Sequence, residues 1–361
     1  MSKLAANLVQ SCLRIRSEDN VTVFFYPHSL TLAEDIAAEC FKVGADVLLN
    51  LYTDNYYSAY MRYLSEESLR QPSVFCRGLT ELSTAQFSIG GPYDPAIYRR
   101  VSPEKMAADS EGETAAHWPL AKERKLRTLY VALGQVTRPR ARAYGFPLAA
   151  WERMLREASS VKPEKLMADG QRLAGILDTA DRVRIRGDGT DVEFSIAGRK
   201  TLVRDGVVDD ADIEAGAFDA VTPDGAVVTS IVETSANGTV SLNVAQAWAG
   251  RSMRRLRWRF QDGRVVSWDG DAPALALKEQ WEKATGNRDR IGQLTIGLNP
   301  KAKFGFLQNS IVRGSVSIGI GANDGVGGSN KSSFFFEHSL QGSTLEVDGK
   351  PLVVGGRLVA I

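Results

Sequence analysis

The chain has only three cysteines in its 361 residues, and their placement excludes several kinds of site. Cys12, Cys40 and Cys76 all lie in the first quarter and form no Cys-x-x-Cys pair. Neither a zinc knuckle nor a disulfide framework is therefore predicted. This usage is typical of a reducing compartment, and we expect a cytoplasmic protein.

An excess of charge of one sign is also lacking, because 44 Lys and Arg residues offset 43 Asp and Glu residues to a net charge of +1. We therefore expect neither nucleic acid nor a membrane surface as a partner. No segment approaches the ~20 consecutive apolar residues that a membrane-spanning helix needs. The expected partner is a small-molecule ligand or another protein chain.

Two familiar site motifs are not matched by this sequence. His28, His117 and His338 are too far apart for a helical His-Glu-x-x-His metal motif. The glycine-rich segment at 325–332 resembles a phosphate loop, but Asn330 stands where that loop needs a glycine before the lysine. We predict a flexible connection there.

The first 180 residues alternate strand-like and helix-like patterns. A β-branched and aromatic run over 21–26 is followed by apolar residues at helical spacing over 30–43 and by an apolar run over 46–52. The order strand, helix, strand is typical of a parallel sheet. We predict an open α/β domain over residues 1–180.

From residue 181 onward, apolar residues alternate with period two, and Asp-Gly or Asn-Gly pairs recur at short intervals. Such pairs, for example Asp262-Gly263 and Asp348-Gly349, favour tight hairpins because both residues tolerate positive φ. One helix is predicted over 272–285. We predict a mostly antiparallel, β-rich domain over residues 181–361.

Three arginines, Arg138, Arg140 and Arg142, follow a predicted strand over 127–133. Guanidinium groups are the preferred donors to carboxylate and phosphate. Loops at the carboxyl ends of strands are where open α/β sheets bind ligands. The segment is therefore either a solvated basic loop or part of a site for a ligand carboxylate.

Four segments of the second half resemble, in order and spacing, the catalytic domain of the aminopeptidase T (AmpS/PepS) family. They are Thr222 to Thr229, Asp289 to Pro300, Gly314 to Gly321 and Phe335 to Gly342. The resemblance implies an α/β domain joined to a β-rich domain that carries two metal ions, in a homodimer. The same fold is similar to that of an iron-dependent dihydroxypyridine dioxygenase group, which would need two histidines and one aspartate on the iron.

The resemblance also implies where the metal ligands should stand. Family glutamates are replaced here by Ala226 and Gln293, a family histidine by Ser317, and a family His-x-Asp pair by Phe336 and His338. A slip of one residue would put the preceding phenylalanine in the first place of that pair. Methyl, amide and phenyl groups cannot retain dications, so we expect no metal and no other cofactor.

We predict an enzyme with a repurposed, metal-independent pocket that acts on a small amino-acid-like or aromatic acid. His338 is the local group whose ordinary pKa suits proton transfer, and Glu337 and Ser317 would assist it. Strand alternation would, however, point Glu337 away from His338. Substrate-binding roles are assigned to the following residues: Ala226, Gln293, Phe336, Arg138, Arg140 and Arg142.

Two alternatives stay open. The chain could be a catalytically inactive pseudo-aminopeptidase that acts as a ligand-binding or partner-binding dimer. It could also be a hydrolase with relocated metal ligands at Asp324, Glu337 and His338.

Overall fold

The computed structural model describes residues 3–248 and 251–361, and the other four positions, which fall in both predicted domains, lie outside the described residues. The helices are α1 (Lys3–Asn7), α2 (Leu30–Val43), α3 (Asp54–Tyr63), α4 (Glu66–Arg70), α5 (Val74–Leu82), α6 (Pro103–Arg124), α7 (Arg138–Tyr144), α8 (Leu148–Ala158), α9 (Pro163–Leu177), α10 (Asp210–Ala215) and α11 (Ala274–Lys283). The strands are β1 (Asn20–Phe25), β2 (Asp46–Leu51), β3 (Ala85–Ile89), β4 (Arg127–Val131), β5 (Arg182–Gly187), β6 (Thr190–Ser195), β7 (Thr201–Arg204), β8 (Asp219–Thr222), β9 (Ala226–Ser230), β10 (Asn237–Ser241), β11 (Gln246–Trp248), β12 (Arg251–Met253), β13 (Leu256–Gln261), β14 (Arg264–Gly270), β15 (Ile291–Gly297), β16 (Val316–Gly321), β17 (Phe335–Leu340), β18 (Thr344–Val347), β19 (Lys350–Val354) and β20 (Arg357–Leu358).

A five-stranded parallel sheet has the order β2-β1-β3-β4-β8. The predicted strand–helix–strand unit is confirmed, because β1 pairs in parallel with β2 and α2 connects them. Gly44 closes α2 with a φ of 96°, a left-handed conformation that glycine adopts without strain. β1 buries Val21, Val23 and Phe25. The result is an open α/β sheet.

The β-rich part contains two larger antiparallel sheets and the two-stranded sheet β11-β12. One of the larger sheets has five strands in the order β17-β16-β15-β9-β7, and the other has eight in the order β14-β13-β10-β6-β5-β18-β19-β20. The predicted hairpin turns at Asp262-Gly263 and Asp348-Gly349 are present, and both residues of each pair have positive φ. The predicted antiparallel character of this half is confirmed.

One hydrophobic core joins the two larger antiparallel sheets. Leu294 and Ile318 of the five-stranded sheet share it with Ile185 and Trp258 of the eight-stranded sheet, and each is at most 1% exposed. The five-stranded sheet therefore buries one face against the other sheet. Its opposite face is available for polar side chains.

The chain forms two compact units, Met1–Ser160 with Gly206–Pro223 and Val161–Asp205 with Asp224–Ile361. This grouping differs from the single boundary predicted at residue 180. α9 packs on β7 and β9, so the second unit begins earlier. β8 pairs with β4, so the chain returns to the first unit after β7.

The sequence analysis missed several helices, among them α6 and α7. α6 has a mixed surface with Pro119 inside it, so no apolar stripe marks it. Of the two alternatives left open for the segment around Arg138, the solvated loop is not formed, because α7 begins there: the Thr137 hydroxyl accepts a hydrogen bond from the Arg140 N–H and caps the helix. Within the described ranges, no helix is long and apolar enough to cross a membrane.

Candidate functional site

One face of the five-stranded antiparallel sheet is polar, and strand register determines which residues share it. Gln293 of β15 pairs with Gly319 of β16, and Thr295 pairs with Ser317. Gly319 pairs in turn with Glu337 of β17. Side chains alternate between faces along a strand, so these polar residues share the face that points away from the core.

Seven residues of this face and its edge form what we call the polar cluster: Arg204, Asp224, Gln293, Thr295, Ser317, Glu337 and Ser339. All of them belong to the second unit.

Uncharged donors hold the carboxylate of Glu337. Its Oε1 accepts hydrogen bonds from Thr295 Oγ1 at 2.5 Å and from Gln293 Nε2 at 3.0 Å. Thr295 is fully buried and Gln293 nearly so. Hydrogen bonds to a charged acceptor contribute about 1.5–3 kcal/mol each, so two of them stabilise this carboxylate without a cation.

Asp224 is a second, deeper carboxylate with a cationic partner. Its Oδ2 accepts hydrogen bonds from Arg204 Nη2 at 2.9 Å and Nε at 3.0 Å, and its Oδ1 accepts one from the N–H of Gly225 at 2.9 Å. Burial raises the pKa of Asp224, the Arg204 charge opposes that rise, and the Glu337 charge adds to it. The guanidinium supplies a fixed positive charge within the cluster.

The remaining members of this face are small. Ser317 Oγ donates to Ser339 Oγ at 2.8 Å, and both residues are buried. Ala226 pairs with Arg204 across the β7–β9 ladder and with Gly297 across the β9–β15 ladder. Its methyl group can neither ligate a metal ion nor transfer a proton.

Strand register separates His338 and Phe336 from the polar face with which they were predicted to act. They pair with Ile318 and Ile320, whose side chains lie in the core. His338 is 0% exposed and stacks on Phe336 with ring centroids 6.0 Å apart. Neither ring nitrogen has a hydrogen-bond partner among the described residues, and burial lowers the pKa of His338 to about 4. The structure therefore does not bring His338 together with Glu337.

Phe335 takes the place on the polar face that Phe336 was expected to hold. It pairs with Gly321, so it points to the same side as Glu337 two residues later. A Cβ on Gly319 would lie 2.7 Å from Gln293 Cγ and 2.9 Å from Phe335 Cε2. Glycine at this position therefore lets the Gln293 and Phe335 side chains come together over β16.

These residues do not fit a two-metal centre. In the part of the chain that the structure describes, no three His, Cys, Asp or Glu side chains are grouped so as to hold a metal ion. The relocated set Asp324, Glu337 and His338 is therefore not assembled. Dications need several carboxylate, carbonyl or imidazole donors, and the two carboxylates of the polar cluster already accept hydrogen bonds from protein groups.

The three predicted arginines belong to the first unit. Arg140 is buried and donates to the carbonyl oxygens of Gln135 at 3.1 Å and Pro92 at 3.0 Å, so it fixes two loops. Arg138 and Arg142 lie on the same helix and are exposed.

Four members of the polar cluster were missed by the sequence analysis: Arg204, Asp224, Thr295 and Ser339. Thr295 and Ser339 each lie two residues from another member on the same strand, and the period of two could have found them. No comparable signal marks Arg204, which meets Asp224 only because β7 pairs with β9.

The sequence of the chain matches one known protein family. The family is described as thermophilic metalloprotease (M29), and its sequence model matches residues 1–302. No curated protein matches the chain in sequence.

Two solved structures are similar over nearly the whole chain. Wild-type AmpT from Thermus thermophilus has a TM-score of 0.70 at 16% identity, covering 99% of this chain and 98% of that one. The 2,5-dihydroxypyridine dioxygenase from Pseudomonas putida KT2440 has a TM-score of 0.63 at 13% identity, covering 99% of this chain and 96% of that one. These likenesses show the fold, and they confirm both relatives and the fold class that the sequence predicted.

Proposed function

The chain belongs to the thermophilic metalloprotease (M29) family, and we propose that within this family it binds a small ligand without hydrolysing peptides. In this proposal the polar cluster replaces the two-metal centre that aminopeptidase T-type enzymes use to generate a hydroxide nucleophile. The protein is then a metal-independent member of a peptidase family.

The observation that carries the proposal is the pair of hydrogen bonds to Glu337. A metal site needs several ligating oxygens or nitrogens that converge on the ion, whereas Thr295 and Gln293 present donor groups to Oε1 of Glu337. Removing those donors to admit an ion would leave buried polar groups unpaired, which costs about 1–3 kcal/mol each.

Charge balance supports the same proposal. The Glu337 charge raises the pKa of Asp224, and a positive charge nearby opposes that rise. Here Arg204 supplies it through its 2.9 Å contact to Asp224. A dication added beside this guanidinium would be repelled by it.

The decisive experiment combines activity with metal-dependent stability. We expect the full chain to release no amino acid from aminoacyl p-nitroanilides, with or without added Zn2+ or Co2+. We also expect the melting temperature to respond equally to these ions in wild type and in Glu337→Gln, because Glu337 is not a ligand. Hydrolysis that depends on the metal, or a Zn2+ stabilisation that Glu337→Gln abolishes, would refute the proposal.

A second candidate function is a metal-independent enzyme acting on a small amino-acid-like or aromatic acid. The raised pKa of the buried Asp224 carboxyl favours it, because a carboxyl group that keeps its proton can act as a general acid. Its weakness is access, since Asp224 is only 4% exposed and bound to Arg204.

One screen separates the two candidates. Amino acids and aromatic acids are tested for thermal stabilisation, and each stabilising compound is then followed by mass spectrometry. At 100 times its Kd a ligand stabilises by about 2.7 kcal/mol, which a melting curve resolves. Stabilisation without consumption supports the binding protein, and consumption that Asp224→Asn abolishes supports the enzyme.

A further inference from the structure

The first unit contains a cavity of about 500 Å³ that lies beyond the carboxyl ends of three neighbouring parallel strands. His28 and Ser29 follow β1, Tyr93 follows β3, and Leu133 and Gly134 follow β4, and all five line it. The strands β1, β3 and β4 are adjacent in the sheet. The lining residues belong to the first unit, whereas the polar cluster belongs to the second.

Strand order makes this edge of the sheet a crevice. β1 leads through α2 to β2 on one side, whereas β3 leads through α6 to β4 on the other. Where consecutive connections leave in opposite directions, the loops separate and open a space that ligands occupy in open α/β sheets. The cavity lies at this switch point.

The helix that borders the cavity begins with an unsatisfied polar group. Ser29 is the N-cap residue of the 14-residue α2, and its side chain caps no backbone N–H. Ser29 is only 6% exposed, and its Oγ has no hydrogen-bond partner among the described residues. A buried hydroxyl without a partner is destabilising unless a ligand or water completes it. The positive dipole end of α2 favours an anion at the same place.

A guanidinium group lies at the same cavity. Arg138 lines it, and its guanidinium has neither an ion pair nor a hydrogen bond within residues 3–248 and 251–361. The cavity also contains Glu152, which is bound to Arg156 at 2.9 Å, and Asp35 on α2. The single unpaired guanidinium of Arg138 can balance one negative charge, and the carboxylates of Glu152 and Asp35 repel a second one. The cavity therefore suits a monoanion better than a phosphate dianion. A guanidinium also matches the planar, bidentate geometry of a carboxylate.

The rest of the wall suits an apolar or aromatic group. Tyr93 and His28 lie with ring centroids 5.6 Å apart, and Leu133 and Leu148 add aliphatic surface. His28 Nε2 bonds the carbonyl oxygen of Gly134 at 2.8 Å, so Nε2 carries the proton in the neutral ring. Nδ1 is then an acceptor, and it has no partner among the described residues. It can accept a hydrogen bond from an amino or hydroxyl group of a ligand.

We propose that this cavity binds a small carboxylate with an apolar or aromatic group, its carboxylate held by Ser29, the N-terminus of α2 and Arg138. The proposal does not rest on the proposed function, because the site lies in the first unit and would bind whether or not the second unit hydrolyses peptides.

The test is titration calorimetry on the full chain at constant ionic strength, with benzoate, L-phenylalanine and inorganic phosphate as probes. We expect saturable binding of at least one of the two carboxylates. Arg138→Gln should weaken it about tenfold or more, since a hydrogen-bonded charge contributes about one to two decades of affinity. Arg142→Gln removes the same charge from the same helix outside the cavity wall, and it should change the affinity less than about twofold.

Ser29→Ala separates binding from folding. Because the Ser29 hydroxyl has no partner in the described protein, its removal should leave the melting temperature without ligand unchanged or raised. The same variant should weaken carboxylate binding about tenfold. Absence of saturable carboxylate binding, equal losses in Arg138→Gln and Arg142→Gln, or binding of phosphate in place of both carboxylates would each overturn the proposal.

Discussion

Substitution of Gln293 by glutamate should destabilise the protein in a way that reports directly on the polar cluster. Nε2 of Gln293 lies 3.0 Å from Oε1 of Glu337 and donates to it. Gln293→Glu replaces that donor by a carboxylate oxygen of nearly the same size. A hydrogen bond worth about 1.5–3 kcal/mol becomes a like-charge contact.

The expected magnitude follows from the competition between repulsion and protonation. Two unit charges about 3 Å apart repel by roughly 5 kcal/mol at an effective dielectric constant of 20. The folded variant can instead take up a proton, which at pH 7.5 costs about 4 kcal/mol for a group of ordinary pKa near 4.3. We therefore expect a loss of about 2–4 kcal/mol in the free energy of unfolding at pH 7.5.

The pH dependence has a definite sign. The carboxyl pair of the variant has a raised pKa in the folded state, so stability is retained below the unfolded pKa near 4.3 and lost as pH rises above it. At pH 5 protonation costs only about 1 kcal/mol, and the deficit should shrink to about that value.

Urea unfolding of wild type, Gln293→Glu and the exposed control Gln261→Glu measures these differences. The swap Gln293→Glu with Glu337→Gln restores one acid and one amide, and it should recover most of the loss. If Gln293→Glu is as stable as wild type at pH 7.5 in the presence of a chelator, or if the swap recovers nothing, the hydrogen-bonded cluster is refuted.

Three further predictions follow from other parts of the chain. His338→Phe should be at least as stable as wild type at pH 7.5, since neither ring nitrogen of His338 is hydrogen-bonded in the described protein. The stability advantage of the variant should grow as pH falls from 6.5 to 4, because wild type loses stability in that range. Large losses of stability in urea unfolding of both His338→Phe and His338→Leu would contradict this. Burial opposes a low pKa for Glu233, but hydrogen bonds from Ser329 and Asn323 and the Arg199 charge lower it to about 2. Glu233→Gln should therefore speed proteolysis of the loop at 323–330, whereas the exposed control Glu279→Gln should not. Equal proteolysis rates in the two variants would count against the contact between Glu233 and this loop. We also expect sedimentation to give a homodimer of the 39.4 kDa chain, and a monomer at all concentrations would contradict that expectation.

Local sequence patterns predicted the element types well because the signals are short-range. The strands over 21–26 and 46–52 and the helix over 30–43 match β1, β2 and α2 to within one residue at each end. The turn at Asp348-Gly349 follows from the backbone freedom of two residues. α6 was missed because it lacks an apolar stripe that the sequence could show.

The site was harder to predict because it depends on pairing between distant strands. His338 and Glu337 are neighbours in sequence, yet alternation places them on opposite faces, and only the register with β16 decides which face is polar. Gln293 meets Glu337 across 44 positions of sequence. The glycine-rich segment resembled a phosphate loop, and in the structure its Ser329 N–H donates to the carboxylate of Glu233.

We propose that this member of a metalloprotease family holds no metal at its polar cluster, and the metal content of the purified protein tests that proposal most directly. Purified protein is incubated with excess Zn2+, Co2+ or Fe2+, passed through a desalting column and analysed by inductively coupled plasma mass spectrometry, with Glu337→Gln and Asp224→Asn treated in parallel. We expect well below one ion per chain in all three proteins. One or two ions per chain in wild type, lost in either variant, would contradict the claim.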